Sequence, residues 1–168
     1  MFSNVYQIGP QSGIELFTAS NKDPYKYIEV IGKCSKIYER NIKGYMISLD
    51  DNIVNPSSII CPSNKYKQSL GIIQQLLVLQ INTPLENSKP ISFEIIFTDN
   101  TKQRRRLHFS SSFRTIQSKN ELHSQIPLNI PRGEWLNLIF NLQNIVANVF
   151  NGEITYQTLD SFSWRHAR

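Results

Sequence analysis

Cysteine is nearly absent from this chain. Two residues, Cys34 and Cys61, in a sequence of 168 are too few for a disulfide framework or a four-ligand zinc site. The expectation is two buried, free thiols in a reducing, intracellular compartment. Histidine is also scarce: His108, His123 and His166 stand alone, without metal-ligand spacing. No apolar run approaches the ~20 residues that span a bilayer. The longest, Leu76-Leu77-Val78-Leu79-Gln80-Ile81, has the length of a strand. Met1 to Pro10 is mixed and polar, without the basic-then-apolar order of a secretory signal. The glycine-rich phosphate loops and the Gly-x-Ser-x-Gly elbow are missing as well. Charge is thin too, at 18% against about 25% in an average soluble domain. Asn, Gln, Ser and Thr make up the difference, so the expected surface is polar more than ionic.

What is present fits one domain with a real core, since 40% of the residues are hydrophobic. The net charge is +5, which suits an acidic partner without choosing among nucleic acid, anionic lipid and an acidic protein. Nothing assembles into a catalytic constellation, and no cofactor, metal site or enzymatic activity is expected. Cys61 precedes Pro62 at a strand end, the place of a structural thiol rather than a nucleophile. Asp50, Asp51, Glu94 and Asp99 are scattered. Asp50, Asp51 and Asp99 sit in turns, where carboxylates accept hydrogen bonds from nearby backbone N–H groups. His108 lies between Leu107 and Phe109 and points to the opposite face, as a solvated or edge histidine.

Along the chain, short stretches of alternating or β-branched residues recur between turn signals. Gly13–Ala19, Tyr25–Ile31, Ser35–Tyr38, Tyr45–Leu49 and Ser58–Cys61 read as strands. Leu76–Ile81 is apolar almost throughout and reads as a central strand buried on both faces. Ile91–Thr98 and Arg104–Phe109 form a hairpin about Asp99-Asn100. Leu122–Leu128, Trp135–Phe140 and Ile154–Leu159 complete the set. One helix of about three turns follows Asn141, a good N-cap, with Leu142, Ile145, Val146 and Val149 along one side and Asn151-Gly152 as the stop. This pattern predicts an all-β fold, a sandwich or barrel, with one short C-terminal α-helix.

The strongest local feature is Lys102-Gln103-Arg104-Arg105-Arg106. On a strand, Arg104 and Arg106 share a face and Arg105 takes the other. Guanidinium forks suit carboxylates and phosphates. A charged edge that blocks unwanted strand pairing is the competing reading. Lys102, Arg104, Arg105 and Arg106 are therefore the candidate contacts for an acidic partner. A nucleic-acid surface, with Phe109 and Phe113 beside the basic run, and a sugar-binding sandwich, with Tyr25, Tyr27 and Tyr66 as platforms, are the alternatives.

The order of motifs resembles the cilia- and flagella-associated protein 20 family. The resemblance rests on Met1-Phe2-x-Asn4-x-Tyr6-Gln7-x-Gly9, Cys61-Pro62 after a strand, and Leu70-Gly71-Ile72. It continues with Phe93-Glu94-Ile95 ending at Asp99, the triple arginine, Pro127-Leu128, and Trp135 leading through Phe140-Asn141-Leu142 into the helix. The run from Leu70 to Ile81 is closest to the longer, domain-containing branch. The resemblance implies a jelly-roll-like β-sandwich over residues 1–159 and a non-enzymatic role in the axoneme or basal body. It implies tubulin and neighbouring axonemal or basal-body proteins as partners, at or near the inner junction of doublet microtubules, with no membrane. Residues 160–168 depart from it and read as a divergent basic-aromatic tail. Relatives carry further strands there, and losing an edge pair would leave a sheet edge open to a partner.

Overall fold

Alternation places β6 (Ile91–Asp99) at the middle of the molecule. Ile91, Phe93, Ile95 and Phe97 point to one side and are buried to 2% exposure or less. Ser92, Glu94, Ile96 and Thr98 take the other side. A computed structural model describes residues 13–20, 22–50, 56–63, 68–86, 89–150 and 152–166. The arm or strand expected over Met1–Pro10, the loop from Asp51, the polar insert at Lys65-Tyr66-Lys67, and Asn151 lie outside those residues.

β6 pairs antiparallel with β7 (Arg104–Ser110), which sets Phe93 opposite Phe109 and Ile95 opposite Leu107. β7 pairs in parallel with β9 (His123–Pro127), and β9 pairs antiparallel with β8 (Gln117–Asn120). On the other flank of β6 lie β11 (Tyr156–His166), β4 (Ser58–Cys61) and β1 (Glu29–Ile31). The seven-stranded order is β1-β4-β11-β6-β7-β9-β8. Two antiparallel ribbons stand apart from it: β2 (Lys33–Glu39) with β3 (Gly44–Asp50), and β5 (Leu76–Asn82) with β10 (Trp135–Asn141).

Aromatic packing fastens one ribbon over the inner face of the large sheet. The Phe93 ring stacks on Phe109 at 4.6 Å and meets Phe140 of β10 edge-on at 5.2 Å. Trp164 of β11 lies parallel to Phe93 at 5.8 Å. Leu77 joins the same core from β5. The helix α1 (Leu142–Val149) starts where the side chain of Asn141 accepts the Asn144 N–H at 3.0 Å. It buries Leu142 and Val146 against that core. Each such side chain contributes about 1.5–3 kcal/mol of transfer free energy. With eight residues the helix is about two turns rather than three, and it depends on this docking.

Among the described residues the fold is all-β with one short helix, comprising a seven-stranded sheet and two two-stranded ribbons. Several elements differ from the sequence reading. β5 is not central. It has one strand neighbour, Leu77 turns inward, and Leu76 and Val78 on the other face are 59% and 58% exposed. Residues 13–18 form no strand; Ile14, Leu16 and Phe17 pack on the core as irregular chain. β8 is an addition, built of four exposed polar residues with no apolar period to betray it. Cys61 is buried, but Cys34 is only half-buried, with the Tyr25 hydroxyl 3.9 Å from its sulfur.

The largest correction concerns the end of the chain. The strand read as stopping at Leu159 continues to His166, between β4 and β6 in the interior of the sheet. Register shifts at Tyr156/Thr158 and Leu159/Ser161 interrupt its first half. Beyond them Phe162 and Trp164 turn to the core, and Ser163 and Arg165 to the outer face. What resembled a basic-aromatic tail is the alternation of an interior strand. Among the described strands, β1 and β8 are the outermost of the sheet.

Candidate partner-binding surface

The β6–β7 turn is built by one carboxylate. Asp99 Oδ1 accepts the Thr101 N–H at 2.8 Å, the Thr101 hydroxyl at 2.7 Å and the Gln103 N–H at 2.9 Å. Its other oxygen accepts the Arg105 Nε–H. Burial would raise the Asp99 carboxyl, but the hydrogen bonds from Thr101, Arg105 and Gln103 outweigh it and hold the group below the usual carboxylate range. The turn projects Lys102 into solvent in a left-handed conformation (φ 64°).

The three arginines then separate by face. Arg105 points inward and is 8% exposed. It pairs with Asp99, donates to the Glu121 carbonyl, and lies 5.1 Å over the Phe150 ring. Arg105 is therefore a core residue and does not belong on a partner-binding surface. The alternation that puts its neighbours outside drives it in, and buried Asp99 is there to receive it. Arg104 and Arg106 lie outside, with side chains 64% and 48% exposed. Arg104 Nε is 3.3 Å from Asp160, and Arg106 Nε is 3.5 Å from Glu94. At that exposure the Arg106–Glu94 pair is worth about 0–1 kcal/mol and can be exchanged for a partner's carboxylate, whereas Arg104 faces a carboxylate that is itself buried.

Sequence reasoning missed the companions of these arginines. Asp160, at the irregular part of β11, is buried and accepts the hydroxyls of Ser69 (2.6 Å) and Thr98 (2.7 Å) while facing Arg104. Arg165 was assigned to a tail, yet its register places it on the same outer face, opposite Ser92. His108 stands opposite Glu94, edge-on to Phe113 at 5.0 Å and 6.4 Å from the His123 ring. Burial lowers the His108 pKa; Glu94 opposes this, and His123, Arg106 and Arg165 add to the lowering. His123 is lowered by burial and by Arg106, against Glu94. The signal for this cluster was the alternation of β11, legible only once the strand was extended past Leu159.

Other sequence candidates stay apart. Burial pushes the Cys61 thiol up to about 12, far from the reactive thiolate range. Tyr25 is 38% exposed, while Tyr27 is half-buried. Among the described residues no group of three or more His, Cys, Asp or Glu side chains is arranged to hold a metal ion. Among them no helix is long and apolar enough to cross a membrane.

Fold and surface together define a class: a β-sandwich whose distinguishing chemistry, among the described residues, is a set of outward arginines on one sheet face. The family follows from comparison. The CFA20 domain model matches residues 1–165, and the chain belongs to the CFA20 domain family. That family is a structural one associated with cilia and flagella, and the match runs through Arg165, across most of the stretch that sequence reading had set aside.

Proposed function

We propose that this protein is a non-enzymatic structural component of the cilium that binds the microtubule lattice, at or near the inner junction of doublet microtubules. Tubulin and neighbouring axonemal or basal-body proteins are its partners in this reading. The observation that carries it is the outer face of the seven-stranded sheet. Three arginines, Arg104, Arg106 and Arg165, stand there against two carboxylates, Glu94 and Asp160. Family membership supplies the cellular setting, and a surface of this sign suits acidic tubulin.

Co-sedimentation with stabilised microtubules tests the reading directly. The protein pellets with the lattice at low salt and is released as salt rises, because exposed charge pairs are screened. A tagged copy in a ciliated cell decorates the axoneme or basal body. A protein that stays in the supernatant, with its tag spread through the cytosol, refutes the assignment.

A further inference from the structure

The outer face of the large sheet carries a groove of about 850 Å³. Its floor exists because serine recurs where neighbouring positions carry long side chains. Two register rows cross the sheet here. One contains Ser58, Arg165, Ser92 and Ser110; the next contains Ser163, Glu94, His108 and Gln125. One wall is the close approach of Gly32 to Ser57, where a Cβ on Gly32 (φ +85°) would stand 2.9 Å from the Ser57 Cα. The opposite wall is Ser112 and Phe113. The floor spans five strands, β4 to β9. At a strand spacing of about 4.8 Å that is roughly 19 Å, enough for about six extended residues.

The charges in the groove are few and unequal. Glu94 is taken up by Arg106, whereas Arg165 is exposed and forms no ion pair among the described residues. His108 faces Glu94 on β6, Arg106 on its own strand, His123 on β9 and Arg165 on β11. An anion is therefore met by an uncommitted guanidinium and by an imidazole that becomes cationic in acid, while the Ser92 hydroxyl on the floor donates to the Arg165 carbonyl at 3.0 Å.

We propose that this groove binds an extended, glutamate-rich segment of a partner protein, with Arg165 as the anchoring fork and Glu94 as a built-in competitor for Arg106. The proposal rests on the acidic-partner reading above and gives it a particular place on the surface. Binding strengthens as pH falls from 7.5 toward 5, since His108 and His123, whose proton affinity is lowered, then gain positive charge while most glutamates of the segment stay ionised.

The test uses the full chain and a fluorescent eight-residue peptide of alternating glutamate and glycine, with its glutamine counterpart as control, read by anisotropy at low salt. The glutamate peptide binds and the glutamine peptide does not. Arg165→Ala weakens binding about tenfold or more, the range for losing a charge-assisted hydrogen bond. Glu94→Gln tightens it several-fold by releasing Arg106, and His108→Gln flattens the pH dependence. Lys43→Ala, on the separate β2–β3 ribbon, leaves it unchanged, and circular dichroism verifies each fold. Equal binding by wild type and Arg165→Ala, or binding of a neutral oligosaccharide in place of the peptide, overturns the proposal. Microtubule pelleting separates the two readings. Lattice binding that survives Arg165→Ala while the peptide fails to bind wild type sinks the groove and leaves the lattice assignment standing. Arg165-dependent peptide binding without lattice binding does the reverse.

Discussion

Arg105 and Arg106 are adjacent and chemically identical, yet the two sides of the seven-stranded sheet make different things of them. On the inner side, Arg105 is held by Asp99, the Glu121 carbonyl and the Phe150 ring, out of water. On the outer side, Arg106 leans toward Glu94 across 3.5 Å in solvent. The difference is desolvation. A charge inside must keep every partner it has, because removing one leaves the other uncompensated in a poor dielectric. A charge outside is rehydrated at once if its partner leaves, and so it is free to exchange an internal carboxylate for a foreign one. Position in the pleat, not residue type, separates scaffold from surface here.

That contrast is broken most severely by Arg105→Ala, which strands the Asp99 carboxylate. The expected loss is about 3–5 kcal/mol, seen as a large drop in the thermal midpoint; a change no larger than at Arg106 would erase the distinction. Tyr156→Phe is next. Its hydroxyl donates to the Ile72 and Gln74 carbonyls at 2.6 and 3.1 Å; the Ile72 carbonyl keeps the Leu159 N–H at 2.7 Å, so losing the hydroxyl costs about 1–1.5 kcal/mol. Asn141→Ala removes the cap of α1 for about 1 kcal/mol, measurable by denaturant titration. Arg106→Ala changes stability by no more than about 1 kcal/mol while weakening microtubule pelleting.

Acid sharpens the comparison. His108 and His123 bind protons less readily folded than unfolded. Their contribution to stability is complete above their ordinary pKa of about 6.5 and falls away as pH drops below it, because the unfolded chain then binds more protons. The thermal midpoint should fall between pH 7.5 and 5.5, and replacing both histidines with glutamine should remove most of that fall. Asp99, held low, adds its own loss only under stronger acid, as pH descends through its depressed value.

The sequence made the β6–β7 hairpin readable because strict alternation and a turn-forming aspartate agree. It made α1 readable because cap and period agree. It even placed Arg105 opposite its neighbours. Burial of Arg105 became visible only with Asp99 and Glu121 around it, since no local pattern separates a paired interior arginine from one lying along the surface. β5 misled because seven mostly apolar residues resemble a strand covered on both sides, whereas its outer face remains open. β8 carries no hydrophobic signal at all. Arg165 was hidden by its neighbours: Trp164 and Phe162 beside basic residues look like a tail until the register pairs them with Phe93 and Ile95.

The position of β11 also bears on how the molecule is made. Of the described elements it is the last to leave the ribosome, yet it lies between β4 and β6. Until residues 156–166 emerge, β1 and β4 are not joined to the rest of the sheet through β11, and one edge of β6 stands unpaired. The nascent protein therefore waits with two unfinished pieces and exposed strand edges, the condition in which growing chains aggregate or are held by chaperones. A premature stop before residue 156 would remove the join between those pieces, not merely trim an end.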